Sequence, residues 1–180
     1  MAGRREIDEA LEWHETALLG FAKLEQLVLK HRVEASRRGE RYFGLDPHEI
    51  QDEFEKVRGK HDIFALLALY ATCEGGIRAD ACWRGEGSNG QRFNSKFKRT
   101  VDERFRGIVK LSTLLQRWRT SLPDPNFARR IDELQREFGI RNKIAHGCVD
   151  GVTEDFLATY VRLRTIRDKW ISFVPDFQGF

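Results

Sequence analysis

Apolar residues recur along most of the chain at steps of three, four or seven positions, the spacing of one face of a helix. The first such row predicts a helix from about residue 5 to 36. Its members are Ile7, Leu11, Leu18, Phe21, Leu24 and Val28. No segment alternates apolar and polar residues between hairpin turns, so we do not expect a sheet.

Two further helices are predicted in the next part of the chain. Asp46 and Pro47 resemble a helix start, with a capping acid, a proline in the first turn and a glutamate three residues after the cap. This second helix is expected to be short and to end near Gly59. The third, from about His61 to Trp83, carries the most apolar run, IFALLALYATC, and should be central and buried.

The fourth and fifth predicted helices are separated by a proline-containing break. The fourth places apolar residues every three or four positions from Val101 to Trp118. Asp124 and Pro125 then repeat the pattern of a capping acid followed by proline, which indicates the start of the fifth helix. Gly139 either weakens the interior of this helix or ends it.

The last predicted helix begins after a turn at residues 147 to 151. Thr153 is expected to cap it, with Glu154 and Asp155 in its first turn. The tail VPDFQGF is expected to be loose, with packing of the aromatic residues in its neighbourhood onto the body as the alternative. No repeat or linker divides the chain. The pattern therefore predicts one all-α domain over residues 1–180, a bundle of about five to six helices with up-down connections.

Composition excludes several classes of protein. With 41% hydrophobic and 33% charged residues, the chain is not a disordered or low-complexity segment. The longest stretch without charge, Ile63 to Cys73, has 11 residues, about half of what a membrane-spanning helix needs. The N-terminus lacks the apolar segment of a signal peptide, and the three cysteines are irregularly spaced. We expect a cytoplasmic protein that does not enter a membrane.

The positive charge of the chain is concentrated in one segment, although the net charge is only +3. Residues 92 to 119 contain nine basic and two acidic residues, so this segment carries +7 and the rest of the chain −4. Such an excess indicates that a polyanion binds at one face, with a solvated helix face as the alternative. The basic residues are Arg92, Lys96, Lys98, Arg99, Arg104, Arg106, Lys110, Arg117 and Arg119.

The stretch RNKIAHG, residues 141 to 147, combines two residue types suited to phosphate chemistry. The planar guanidinium of arginine is always charged and matches phosphate oxygens. Histidine, with an unperturbed pKa of about 6.5, exchanges protons near neutral pH. Together they supply what cleavage of RNA by its own 2′-hydroxyl needs, which is proton transfer and stabilisation of a negatively charged transition state, without a metal.

Helical geometry restricts how these residues act together. Asn142 and His146 share a face, whereas Arg141 is offset from His146 by roughly 140°. Arg141 must therefore reach around the helix, or the helix is irregular, or the site includes a second subunit. In the plain alternative, the arginine pairs with an acid and the histidine caps a helix end. The three cysteines and His146 lack the paired spacing of zinc ligands, so we expect no metal and no other cofactor.

On these residues the sequence resembles the HEPN superfamily, helical domains found in ribonucleases, toxin modules and antiviral systems. The family signature is an arginine, four to six residues, then a histidine, often with a polar residue directly after the arginine. Arg141, Asn142 and His146 match it. The family also carries an acid in an earlier apolar helix, a place that Glu74 takes in LYATCEGG. Cys148 stands where some branches have a tyrosine.

The resemblance implies a metal-independent endoribonuclease that acts as a homodimer, with the motifs of two protomers facing each other. It assigns proton transfer to His146, the scissile phosphate to Arg141, positioning to Asn142 and orientation of Arg141 to Glu74. A carboxylate that only neutralises Arg78 is the alternative for Glu74. RNA would be guided by Lys143, Lys96, Lys98, Arg99, Arg104 and Arg106.

The biological setting that the resemblance implies is a toxin or antiviral-defence effector, with an antitoxin or other defence protein as a possible partner. Two other functions stay open. One is a non-catalytic HEPN module that binds nucleic acid, a nucleotide or a partner protein. The other is a helical DNA-binding regulator, which the basic fourth helix would permit. Convergence of Arg141 and His146 on an open cleft would favour the enzyme.

Overall fold

Regular secondary structure is helical throughout the residues that the computed structural model describes, which are 6–30, 42, 44–87, 92–98, 109–147 and 154–180. A short helical segment at 94–98 accompanies the longer helices. Those are α1 (Glu6–Leu29), α2 (Pro47–Glu86), α3 (Leu111–Ser121), α4 (Pro125–Ala145) and α5 (Phe156–Phe173). The predicted all-α bundle of five to six helices is confirmed.

The start of α2 is the one that the sequence predicts. The Asp46 carboxylate accepts hydrogen bonds from the backbone N–H groups of His48 and Glu49 at 2.8 and 2.9 Å. The Glu49 side chain in turn accepts a bond from the Asp46 N–H at 2.8 Å. This reciprocal capping satisfies amide groups that a helix start would otherwise leave unpaired.

The predicted stop at Gly59 is wrong, because α2 continues through this residue for 40 residues in all. A glycine inside a helix costs about 1 kcal/mol relative to alanine. Burial on both sides of it offsets that cost: Phe54 packs before Gly59 and Leu69 after it, and each is at most 1% exposed. The predicted second and third helices are therefore one helix.

Helices α1 and α2 run antiparallel along much of their length. Glu25 near the end of α1 pairs with Arg58 of α2 at 2.7 Å. Earlier in α1, the His14 Nδ1 lies 3.2 Å from the Nε2 of His61, which follows Arg58 in α2. Leu29 is the last residue of α1. The predicted extension, residues 31 to 36, lies outside the described residues.

The predicted fourth helix does not run unbroken to Trp118. Lys110 has an extended backbone, with φ −62° and ψ 138°, and α3 begins only at Leu111. The Val109 carbonyl accepts a bond from the Arg78 guanidinium at 2.5 Å. A tertiary contact thus uses a carbonyl that a continuous helix would have bonded to its own backbone. The predicted first half of this helix, residues 101 to 108, lies outside the described residues.

Helix α4 contains the sequence motif in its last turn. Asp124 caps its start by accepting bonds from the N–H groups of Asn126 and Phe127 at 2.7 and 3.1 Å, as predicted. Gly139 lies in the helix interior and does not end it. The helix ends at Ala145, and His146 is its C-cap. Gly147 comes next with φ +75°, a left-handed conformation that favours glycine.

The cap of the last helix differs from the prediction. Asp155, not Thr153, is the N-cap of α5, and its carboxylate accepts a bond from the Ala158 N–H at 2.7 Å. Asp155 and Glu154 therefore precede the first turn instead of lying in it. An acid of this kind fulfils the capping role at the position where the helix begins. Thr153 lies outside the described residues.

The C-terminal tail is packed onto the helices by its aromatic residues, which is the alternative to the loose segment that the sequence favoured. Phe177 and Phe180 are both 0% exposed, and the Phe177 ring stacks on Trp170 at 4.9 Å. Trp170 meets Trp118 edge to face at 5.4 Å, which joins α5, α3 and the tail. One cluster of buried side chains includes residues from all five helices and the tail. None of the described helices combines the length and hydropathy needed to cross a bilayer.

Two adjacent glycines of α2 provide a matched stability test. A Cβ at Gly76 would lie 2.3 Å from the backbone nitrogen of Phe180, whereas a Cβ at Gly75 would meet nothing within 4 Å. Gly76→Ala should therefore push the tail off α2 and lower the free energy of unfolding by about 1–3 kcal/mol. Gly75→Ala should raise it by about 0.5–1 kcal/mol through helix propensity. Urea unfolding checks both, and equal effects would contradict the packing of the tail.

Candidate active site

A cleft of about 580 Å³ opens between α2, the start of α3 and the second half of α4. Its base is apolar, formed by side chains that also belong to the core, and polar groups surround it. A concave apolar surface with a few convergent polar groups is the usual form of a ligand site. The lining residues are Glu74, Arg78, Lys110, Leu111, Ser112, Leu115, Gln135, Phe138, Gly139, Arg141 and Asn142.

Glu74 joins two arginines at one side of the cleft. Its Oε2 accepts a hydrogen bond from Arg141 of α4 at 2.8 Å. Its Oε1 accepts two from Arg78, one turn further along α2, at 2.9 and 2.6 Å. The predicted contact between Glu74 and Arg141 is thus present, together with the alternative pairing to Arg78. One carboxylate holds both guanidinium groups, so their charge is only partly neutralised.

Lys110 adds a third positive charge to the cleft. Its side chain is exposed, and it forms no ion pair with the part of the chain that the structure describes. Among the described lining residues, three cations face one carboxylate, which leaves an excess of two positive charges. Such an excess in a concave site with apolar walls attracts anions more strongly than the same charges on an open surface.

One face of α4 leads from the cleft to His146. Gln135, Gly139 and Asn142 line the cleft at steps of four and three residues, and His146 follows four residues later. These steps place all four residues in one row of the helix. His146 lies at the helix end, where its N–H bonds to the Asn142 carbonyl at 3.1 Å. Its side chain is exposed and does not line the cleft.

Arg141 and Asn142 are linked to each other in addition to Glu74. A terminal nitrogen of Arg141 donates to the Asn142 side-chain oxygen at 2.9 Å. The Arg141 side chain is 32% exposed, so the guanidinium is held on one side and open on the other. The structure therefore brings Glu74, Arg141 and Asn142 together, with His146 one turn beyond Asn142 on the same helix.

The three predicted RNA-guiding residues that the structure describes do not line the cleft. Lys143 lies in the last turn of α4, and Lys96 and Lys98 lie on the short helical segment. All three side chains are exposed and none lines the cleft. The remaining predicted residues, Arg99, Arg104 and Arg106, lie outside the described residues.

Other members of the basic segment make tertiary contacts. Arg119 pairs with Asp132 of α4 at 2.6 Å, and Arg92 donates to the Phe173 carbonyl at 3.3 Å. These contacts link α3 to α4 and residue 92 to the end of α5. Part of the positive charge in this segment is therefore used in tertiary contacts, and among its described members Lys110 lines the cleft.

Sequence reasoning missed three cleft residues as site residues. Arg78 was considered only as a partner of Glu74, Lys110 only as one of nine basic residues, and Gly139 only as a helix breaker. The i,i+4 spacing of Glu74 and Arg78 already placed both on one face of a helix. No sequence signal places Lys110 at the cleft, because its position there depends on tertiary contacts such as the bond from Arg78 of α2 to the Val109 carbonyl.

A second cleft, of about 560 Å³ between α4 and α5, differs in charge. Its described lining residues include as many arginines as glutamates, so their charges balance. The charged residues are Arg130, Arg136, Arg162, Glu133, Glu137 and Glu154. Glu137 also accepts a bond from the Tyr70 hydroxyl at 3.0 Å. Burial raises the pKa of Tyr70, so this hydroxyl keeps its proton and donates. Balanced charges make this cleft the weaker candidate for an anion.

Comparison of the chain with family models, curated proteins and solved structures finds no match. The resemblance to HEPN domains is therefore still a prediction from the motif and from the acid in the earlier apolar helix. Within the described residues, no group of three or more His, Cys, Asp or Glu side chains is arranged to hold a metal ion. Cys148, the position that departs from the family pattern, lies outside those residues.

Proposed function

We propose that the protein is a metal-independent endoribonuclease, in which the 2′-hydroxyl of the RNA attacks the adjacent phosphate of the same strand. The observation that supports this most is the Glu74–Arg141 bond beside a cleft with excess positive charge, on the helix that ends at His146. A fixed guanidinium with one open side is suited to a phosphate whose charge grows in the transition state.

The residues divide the chemistry between them. His146 accepts the proton of the 2′-hydroxyl or donates one to the leaving 5′-oxygen, and its exposed position admits a strand from solvent. Arg141 binds the scissile phosphate. Glu74 and Asn142 orient Arg141 through their hydrogen bonds to it.

The site is proposed to be shared between two protomers. Arg141 lies in the last turn of α4 and His146 is its C-cap, five positions later. Residues five positions apart are offset by roughly 140° around a regular helix, so one protomer does not readily direct both side chains at the same phosphate. A two-fold arrangement brings the exposed end of α4 next to its copy and doubles the positive charge at one place. We propose a homodimer in the cytoplasm that acts as a toxin or antiviral-defence effector, with an antitoxin or defence protein as its partner.

A second candidate is a binding module without chemistry. It is favoured by one observation: His146 lies beyond the cleft and does not line it. A positively charged cleft binds an RNA strand whether or not a proton donor is at hand. The two candidates differ in whether purified protein cuts RNA.

Incubation of the purified chain with RNA in EDTA tests the proposal. We expect cleavage without divalent metal, products that end in a 2′,3′-cyclic phosphate, and no cleavage of DNA of the same sequence, which lacks the attacking hydroxyl. The same preparation should sediment as a dimer at micromolar concentration. A requirement for metal, or cleavage of DNA, would contradict the mechanism. Intact RNA under all conditions would favour the binding module.

A further inference from the structure

Gly139 is unusual among the cleft residues because its place in a helix interior is unfavourable. A glycine there lowers helix stability by about 1 kcal/mol relative to alanine. Packing does not require it, since a Cβ added at Gly139 would meet nothing within 4 Å. Its φ is also not in the left-handed region, so backbone conformation does not require a glycine. What the missing side chain does provide is room in the cleft.

Lys110 is the second feature that the fold does not explain. It lies at the start of α3 on extended backbone and caps the helix without a side-chain hydrogen bond. The Arg78–Val109 bond holds the backbone immediately before it, and Lys110 lines the cleft. A positioned ammonium group without a carboxylate partner among the described residues is available for a phosphate.

We infer that this cleft holds one nucleotide of the RNA strand beside the scissile phosphate, with its phosphate at Lys110 and its sugar and base over Gly139. The inference rests on the proposed function for the identity of the strand. The floor of the cleft is apolar and includes Leu115 and Phe138. An apolar surface of this kind suits the flat apolar face of a nucleobase. The absence of a side chain at Gly139 then leaves space for the nucleobase. The ammonium group of Lys110 binds the phosphate and so determines which nucleotide of the strand occupies the cleft.

Binding of an uncleavable RNA, an octamer with 2′-O-methyl groups throughout, tests this without any chemistry. Fluorescence anisotropy of the full-length chain at several salt concentrations gives the affinity and its salt dependence. Lys110→Gln should weaken binding about five- to tenfold and reduce the slope of log K against log salt by about 0.7. The control is Lys169→Gln, an exposed lysine of α5 away from the cleft, which should change affinity less than about twofold.

Gly139→Leu tests the room for the base separately from charge. The larger side chain should fill the cleft and weaken binding of the octamer about tenfold or more. An added Cβ meets nothing within 4 Å at Gly139, and alanine favours a helix over glycine, so the melting temperature of Gly139→Ala should stay the same or rise. The melting temperature of Gly139→Leu, measured alongside, shows whether that variant is folded. Gly139→Ala, which takes far less room, should retain most of the affinity. Loss of binding is therefore separable from loss of folding.

The outcomes distinguish this inference from the proposed function. Suppose that RNA cleavage depends on His146, but Lys110→Gln binds the octamer as tightly as Lys169→Gln, or Gly139→Leu binds it as tightly as the wild type. The assignment of the cleft is then wrong, and the proposed enzyme is not affected. If no RNA is cleaved but binding depends on both residues, the cleft stands and the chemistry is wrong. Binding of adenosine monophosphate as tight as that of the octamer would overturn the assignment to a strand.

Discussion

Replacement of His146 by alanine is expected to lower RNA cleavage by about 10²- to 10⁴-fold, the effect of removing a positioned acid–base group. Affinity for uncleavable RNA should change little, because proton transfer stabilises the transition state more than the bound strand. Single-turnover cleavage and anisotropy, measured on the same preparation, give the two quantities. Stability should also be retained, since the His146 side chain is exposed at a helix end.

The matched control is His48→Ala. The His48 side chain is 83% exposed and lies in the first turn of α2, near Asp52. Its removal should leave cleavage unchanged. Arg141→Ala should abolish cleavage and weaken binding as well, because in the proposed mechanism the guanidinium meets the phosphate before the reaction starts. Undiminished cleavage by the His146→Ala variant would overturn the assignment of the proton-transfer residue.

The second large effect concerns stability and is expected from Asp80→Ala. Asp80 and Arg84 are both 0% exposed and are joined at 2.9 Å within α2. Asp80 also accepts a bond from the Gln178 N–H at 2.8 Å, so it ties the tail to the helix. Removal leaves a buried guanidinium with the half-exposed Asp176 as its remaining carboxylate. We expect the free energy of unfolding to fall by about 3–5 kcal/mol.

An exposed ion pair is the control for that experiment. Arg119 and Asp132 are 42% and 46% exposed, and Asp132→Ala should lower the free energy of unfolding by less than about 1 kcal/mol. Urea unfolding of both variants measures the difference. Asp80→Asn, which keeps the shape but not the charge, should lie between Asp80→Ala and the wild type. Equal losses for Asp80→Ala and Asp132→Ala would show that burial of the pair does not set its contribution.

Local patterns predicted the helical elements well where the signal was itself local. Apolar spacing identified the helices, and the caps at Asp46 and Asp124 bond as their sequences indicate. The stop at Gly59, the unbroken fourth helix and the loose tail failed because they depended on what a segment packs against. The cap of the last helix was predicted two residues too early, at Thr153 instead of Asp155. A helix propensity of about 1 kcal/mol is smaller than the burial of a single large apolar side chain, so packing prevails.

The candidate site divides in the same way. The sequence names Arg141, Asn142 and His146, because a short motif on one helix fixes their spacing. It also placed Glu74 beside Arg141 through a resemblance, and the structure has that bond at 2.8 Å. The spacing of the basic segment does not show which of its residues form ion pairs within the protein and which are open to a ligand. That depends on which of them meets an acid from another helix.

From its sequence, this protein is an all-α chain with a phosphate-compatible motif at the end of one helix, since helical periodicity and capping are properties of neighbouring residues. The cleft arises only when α2, α3 and α4 pack together. Arg78, Lys110 and Gly139 are up to 61 positions apart and meet there because Arg78 binds the Val109 carbonyl and Glu74 binds Arg141. The positive charge and the volume of the cleft are properties of the packed chain. They depend on which side chains from distant segments share one low-dielectric surface.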